Sequence, residues 1–330
     1  MRPIIEVDNL QKRYRFSRPS RTLRGLLVAP FGRYQSIEAL AGISFNIQPG
    51  ERVAILGPNG AGKSTTLKIL TGILEPTSGL ATVLDLTPWR DRQRLAYQIG
   101  VVFGHRSQLW NELPVRDSFV MQRHIYGQDA AIFASRLWDT VERLELGPLL
   151  DQPVNRLSLG QRMRCELAAS MLHGPSLLFL DEPTIGLDIT AKAVMRDIIT
   201  EQAQAIGQTV ILTSHDTRDI ELVCDRVIVI NGGRIVVDQP MAELRRRYLR
   251  HKLVPIRSAG ASVALDLPGV TQRVNEAHRA LFEFDTSLIS AERVIEAALN
   301  AGEIEDITIE DPPMEEIIRE IYAIGGLPTG

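Results

Sequence analysis

The sequence predicts an α/β fold followed by a smaller α+β unit, on three observations. The apolar run Arg52-Val53-Ala54-Ile55-Leu56 runs into a glycine-rich octet, Gly57-Pro58-Asn59-Gly60-Ala61-Gly62-Lys63-Ser64, and then into Thr65-Thr66-Leu67-Lys68-Ile69-Leu70, a strand–loop–helix series. Two further apolar runs, Leu177–Leu180 and Thr209–Thr213, each follow a segment of helical periodicity, at 158–173 and 189–206. Beyond a basic cluster of Arg245, Arg246, Arg247, Arg250 and Lys252, short alternating strands take over.

In chain order, Ile4-Ile5-Glu6-Val7 and Ile43-Ser44-Phe45-Asn46-Ile47 alternate as paired strands. Between them, five arginines from Arg15 to Arg33 interleave with Leu23, Leu26, Leu27, Phe31 and Tyr34, either a solvated loop or a basic amphipathic segment for a membrane surface or partner. Phe119, Met121, Ile125, Ile132, Leu137, Val141 and Leu144 give 116–150 a helical period. Val227–Ile230 and Arg234–Val237 flank Asn231-Gly232-Gly233, a hairpin signal. The basic cluster reads as a linker. After it, 263–267, 280–284 and 304–309 are predicted strands, with helices at 290–301 and about 314–323.

A chain of 330 residues with 44% hydrophobic residues can hold one large domain and a smaller one. A net charge of −3, without a block of five like charges, gives no reason to expect a nucleic-acid partner. Two lone cysteines, Cys165 and Cys224, have no metal spacing and suit a reducing cytoplasm. The N-terminus lacks the apolar region of a signal peptide, and no run of about 18 residues is uniformly apolar, so a membrane span is expected only from another chain.

The chemistry starts at residues 57–64. The glycines let the backbone N–H groups converge on a triphosphate, Lys63 brings a point charge for the β- and γ-phosphates, and the Ser64 hydroxyl can ligate Mg²⁺. The helix that follows aims its N-terminus at the anion. Leu177–Leu180 ends in Asp181 and Glu182: Asp181 is placed to hold Mg²⁺ through water, and Glu182 to act as general base or polarise an attacking water. Leu157-Ser158-Leu159-Gly160-Gln161, at a helix start, is either an ordinary N-cap or a second anion site. His215, in Thr213-Ser214-His215-Asp216, is either structural or within reach of a γ-phosphate.

Taken together, these pieces resemble the nucleotide-binding subunit of ABC transporters from residue 4 to about 240. Residues 57–65, through Thr65, match the Walker A loop. Residues 157–161 match the signature motif with Leu159 in place of a glycine, so Ser158, Gly160 and Gln161 are its carriers. Residues 177–182 match Walker B, Gly186-Leu187-Asp188 the D-loop, and His215 the switch histidine. Tyr14 falls where the family stacks an aromatic on adenine. The family expects a glutamine after Ile99–Phe103, where this chain has Gly104-His105-Arg106-Ser107-Gln108, leaving His105 or Gln108 for that place.

The resemblance implies a P-loop NTPase core with an antiparallel β subdomain and a helical subdomain over residues 1–245, and an α+β accessory or dimerisation domain over 246–330. It implies ATP and Mg²⁺ as cofactors, and a head-to-tail homodimer with each ATP between the loop of one copy and Ser158–Gly160 of the other. One or two separate permease subunits would complete it at the cytoplasmic face of the inner membrane. Residues 108–114, with Trp110 as a permease contact or a core aromatic, and the C-terminal appendage look like the drug- and sodium-export branch. Rival readings are a soluble ABC ATPase of translation or DNA repair, a polysaccharide exporter and an importer subunit.

Overall fold

The computed structural model describes residues 2–17, 34–104, 106–214, 216–248, 251–259, 263–312, 316–318 and 321. His105, His215 and residues 18–33 of the basic stretch lie outside the described residues. The chain divides into two compact units, Met1–Asp238 and Gln239–Gly330, so the division precedes the expected boundary at 245/246, which falls inside a helix, Met241–Tyr248.

In the first unit, β1 (Ile5–Ser17), β2 (Tyr34–Ile47) and β4 (Ser78–Val83) form an antiparallel sheet in the order β2-β1-β4. Arg15 and Ser36 pair across β1 and β2, so both ends of the basic stretch are sheet rather than loop. The second sheet has the order β5-β6-β7-β3-β8-β9, from β3 (Arg52–Leu56), β5 (Ile99–Phe103), β6 (Leu177–Asp181), β7 (Thr209–Thr213), β8 (Arg226–Asn231) and β9 (Arg234–Pro240). Its first five members run parallel. Their near-continuous apolar sequences follow from burial on both faces, which a strand takes only when helices cover the sheet. The unit's helices are α1 (Lys63–Leu70), α2 (Arg92–Ala96), α3 (Val115–Ile125), α4 (Ala130–Arg143), α5 (Leu159–Met171), α6 (Ile189–Ile206) and α7 (Thr217–Val223); α1, α2 and α5 lie against the sheet, and α3 packs on α5.

One core joins the two sheets. Ile5, Leu10, Ile43 and Ile47 from the antiparallel sheet pack with Leu67, Ile69 and Leu70 of α1 and with Ile55, Phe179, Ile211 and Ile228 of the parallel sheet. Such buried aliphatic side chains each contribute about 1.5–3 kcal/mol. The helix that begins at Lys63 is thus held by both sheets, which rigidly places its N-terminus.

The second unit corrects the sequence reading. The basic cluster is not a linker: α8 (Met241–Tyr248) spans most of it, and β10 (His251–Ser258) follows. Residues 263–267 form no strand, although Val263 is buried. Instead β11 (Val270–Glu276), β12 (Arg279–Asp285), β13 (Ile304–Ile307) and β10 make an antiparallel sheet ordered β11-β12-β10-β13. Alternation puts Val254, Ile256, Ala280, Phe282 and Phe284 into a core with Val294 and Ala298 of α9 (Ala291–Ala301). The charges of 245–252 hid a short amphipathic helix and a strand whose apolar half begins only at Leu253. Most of the expected last helix lies outside the described residues.

Candidate functional site

The parallel register sets the site. Phe103 pairs with Asp181, Asp181 with Thr213, Thr213 with Ile55, and Ile55 with Ile228, so adjacent strands deliver their next residues at one level. Open α/β sheets bind ligands at these carboxyl ends.

After β3 the chain curls through Gly57–Gly62 into α1. Two glycines are obligatory here. A Cβ on Gly57, at φ 154°, would lie 2.1 Å from the Ile230 carbonyl oxygen, and one on Gly62, at φ 114°, 2.6 Å from that of Ala39. Gly62 caps α1 without a side-chain bond, so the first-turn N–H groups are left for an anion. Lys63 is buried and its ammonium donates to the carbonyls of Gly57 at 2.6 Å and Pro58 at 3.3 Å. Burial pulls its pKa below the ordinary lysine value, against the opposing pull of the Glu182 and Asp181 carboxylates.

Asp181 and Thr213 form the floor. Thr213 Oγ1 donates to Asp181 Oδ1 at 2.6 Å, and Ser64 Oγ approaches the same oxygen at 3.4 Å. A hydroxyl and a carboxylate side by side on rigid elements fit a small hard cation that keeps most of its ligands as water and phosphate. Glu182 follows with φ 56°, a left-handed conformation that costs a non-glycine residue about 1–3 kcal/mol and persists where surrounding structure imposes it. Its N–H donates to the Thr213 carbonyl at 3.0 Å.

A cavity of about 380 Å³ opens over these groups. Asn59, Gly60, Ala61, Gly62, Lys63, Ser64, Thr65, Asp181, Glu182 and Ile185 line it, with Tyr14, Ile37 and Ala39 from the antiparallel sheet. The structure therefore brings together the phosphate loop, the two carboxylates and the predicted adenine-stacking tyrosine.

Ser158, Gly160 and Gln161 are elsewhere. Ser158 caps α5 in a capping box: its Oγ accepts from Gln161 N at 3.3 Å, while Gln161 Oε1 accepts from Ser158 N at 2.9 Å. They line a second cavity of about 480 Å³ with Glu145, Arg164, Gly186, Asp188 and Ala191, which shares no residue with the first. A Cβ on Gly186 would lie 2.9 Å from Leu159 Cδ2, so the substituted signature residue rests on the D-loop.

Of the alternatives after β5, Gln108 is tied to β5 and α5: its side-chain amide donates to the Val101 carbonyl and its N–H to Glu166 Oε2 at 2.9 Å. His105 lies outside the described residues; Gly104 N, before it, donates to the Asp181 main-chain carbonyl at 2.8 Å.

Sequence reading missed Glu166, Thr213 and Asp219. Glu166 is buried in α5 and takes Ser107 Oγ as well as Gln108 N. Burial pushes its carboxyl above the usual range, while these donors pull it down. An acid flanked by Met163, Cys165, Leu167, Ala168 and Ala169 was a readable signal of a buried partner. Thr213 gave none, since threonine is ordinary in a strand. Burial raises Cys165 to about 12 and Cys224 still further, so neither is a nucleophile.

The family model described as ABC transporter matches residues 40–185. The chain is 32% identical over 296 residues to a daunorubicin resistance ATP-binding protein of Streptomyces coeruleorubidus, covering 88% of this chain and 92% of that one. It is 37% identical over 229 residues to a fluoroquinolones export ATP-binding protein of Mycobacterium tuberculosis, covering 68% and 73%. Among solved structures it resembles cbiO1 of Clostridium perfringens, part of an ABC transporter complex, at 28% identity and a TM-score of 0.60, covering 75% of this chain and 94% of that one. A dimeric ATP-binding cassette bound to ADP and Pi shares the fold at 24% identity and a TM-score of 0.60, over 72% of this chain and 98% of that one. On the family match and on a relative aligned over 88% of the chain, the chain belongs to the ATP-binding, ATP-hydrolysing subunits of ABC transporters.

Proposed function

We propose that this chain powers export, hydrolysing MgATP at the cytoplasmic face of the inner membrane and driving transport through one or two separate permease subunits. The observation that carries the hydrolytic part is the convergence of Lys63, Ser64, Asp181 and Glu182 on one cavity. Among the described residues no helix is long and apolar enough to cross a membrane, which supports a separate permease. Export rather than import is supported by the relatives named for drug resistance and drug export, one of which matches the second unit as well.

In this reading the N–H groups of residues 57–65 and the Lys63 ammonium hold the β- and γ-phosphates, and Tyr14 stacks on the base. Ser64 and Asp181 hold Mg²⁺, which neutralises triphosphate charge when bound. Glu182 accepts the proton of the attacking water, and His215 contacts the γ-phosphate. Ser158, Gly160 and Gln161 line a cavity of their own, so a nucleotide on the phosphate loop meets them only in a head-to-tail dimer, closed by ATP and released by hydrolysis.

Glu182→Gln tests the chemistry. The amide cannot take the water's proton, so turnover should fall by about 100-fold or more while ATP binding persists and a closed dimer accumulates. Wild-type turnover in this variant would remove Glu182 from the role. Co-purification with membrane proteins tests the coupling: a permease pair supports export, whereas recovery of a substrate-binding protein would favour import.

A further inference from the structure

We propose that Asp219, a residue that lines neither cavity, is a positioning residue for the Glu182 carboxylate. It lies in the first turn of α7 and is 1% exposed. Its two oxygens take three donors from three separate places. Oδ1 accepts from Arg196 Nη1 on α6 at 2.8 Å. Oδ2 accepts from Ser214 Oγ, the residue after β7, at 3.1 Å, and from Thr184 Oγ1, two residues after Glu182. Arg196, Thr184 and Ser214 are all buried.

The positions of these donors give the network its meaning. Glu182 has a left-handed backbone, at φ 56°, that no glycine relieves. On its N-terminal side it is held by Thr213, whose carbonyl takes the Glu182 N–H. On its C-terminal side the turn closes through Ile185 N to the Glu182 carbonyl at 3.2 Å, and Leu187 N to that of Thr184 at 3.2 Å. Asp219 grips the middle of that turn through Thr184 and the end of β7 through Ser214. It thus ties the segments before and after Glu182 to one buried point, and that point to α6, which starts at the D-loop. A carboxylate does this where an apolar residue cannot, because it accepts several directed bonds while Arg196 compensates its charge.

The proposal rests on Glu182 as the base and deepens it: the aim of the carboxylate is set by a group that never touches nucleotide. The test uses the purified full chain and reads turnover per folded molecule, nucleotide affinity and melting temperature for D219A, D219N, T184V and the double variant D219A/T184V. T184V removes only the hydroxyl and keeps the shape. Turnover should fall about 10-fold in T184V and about 100-fold in D219A, with nucleotide affinity within about threefold of wild type, because the phosphate loop is untouched. D219N, which keeps an acceptor for Thr184, should fall between wild type and D219A. Adding T184V to D219A should cost less than about twofold more, since both act through one contact.

A structural role alone would lower the melting temperature without changing turnover per folded molecule. That outcome in D219A and T184V overturns the proposal, as does a loss of nucleotide affinity equal to the loss of turnover. If D219A does not fold, wild-type turnover in folded T184V overturns it. A wild-type chain that hydrolyses ATP no faster than Glu182→Gln overturns both the base assignment and this inference. Hydrolysis by wild type with T184V and D219A unchanged removes the inference only.

Discussion

Thr213 Oγ1 and Ser64 Oγ converge on the same oxygen of Asp181, at 2.6 Å and 3.4 Å. One comes from the end of β7 and the other from the first turn of α1, so two elements fix how a single carboxylate meets a cation. Thr213→Val keeps the shape and removes the orienting bond. Outer-sphere partners of metal ligands typically carry 10–100-fold effects, so the Mg²⁺ concentration for half-maximal ATPase activity should rise about 10-fold. A magnesium titration with maximal turnover recovered at saturation checks it.

Lys63 gives a pH prediction in two opposite directions. Burial lowers its pKa below the ordinary 10.5. Between the two values the unfolded chain binds more protons than the folded one, so this group's contribution to stability rises with pH there. Triphosphate binding needs the ammonium, so affinity falls over the same range. Lys63→Arg keeps its charge, and the ratio of wild-type to Lys63→Arg nucleotide affinity should decline as pH climbs toward 10.5. Equal slopes would show that Lys63 stays charged throughout.

His173 should govern part of the acid limb of stability. Its Nε2 lies 3.0 Å from the Ile99 carbonyl, an acceptor, so Nε2 carries the proton; the ring stacks on Tyr126 at 4.1 Å. Burial lowers its pKa from 6.5 to about 4. The folded value lies below the unfolded one, so the contribution is fully present above 6.5 and is lost as pH falls toward 4. It amounts to about 3 kcal/mol at most. Denaturant melts of His173→Phe should show a flatter decline over that window, the ring stacking being kept.

Glu166 ties the segment after β5 to α5 through Ser107 and Gln108. Glu166→Ala leaves those donors without their acceptor and should cost about 3 kcal/mol, read as a lower urea midpoint with unchanged slope. Because the same helix begins at Ser158, ATPase activity of the remaining folded protein should fall too.

Much of this was legible in the sequence for physical reasons. The phosphate loop, Asp181 and Glu182 announce themselves because their chemistry demands fixed residue types at fixed spacing beside apolar strands. Thr213, Asp219 and Arg196 were not legible: each is an ordinary residue whose importance comes from strands and helices that meet only in the fold. The second unit misled because charge on α8 and at the start of β10 masks a helix face and an inner strand. Lys252 pairs with Asp311 and His251 faces Glu283, contacts that make a charged stretch a strand.

The order of the parallel sheet has a consequence for biosynthesis. β3, which carries the phosphate loop, emerges early from the ribosome, yet it sits between β7 and β8, which are made far later. Until Val210 and Val227 arrive, β3 has no partner strand in its own sheet, and Ile230, whose carbonyl backs Gly57, is later still. The sheet that sets the level of Asp181, Glu182 and the phosphate loop is therefore completed only near the end of the first unit, and such distant pairings fold slowly.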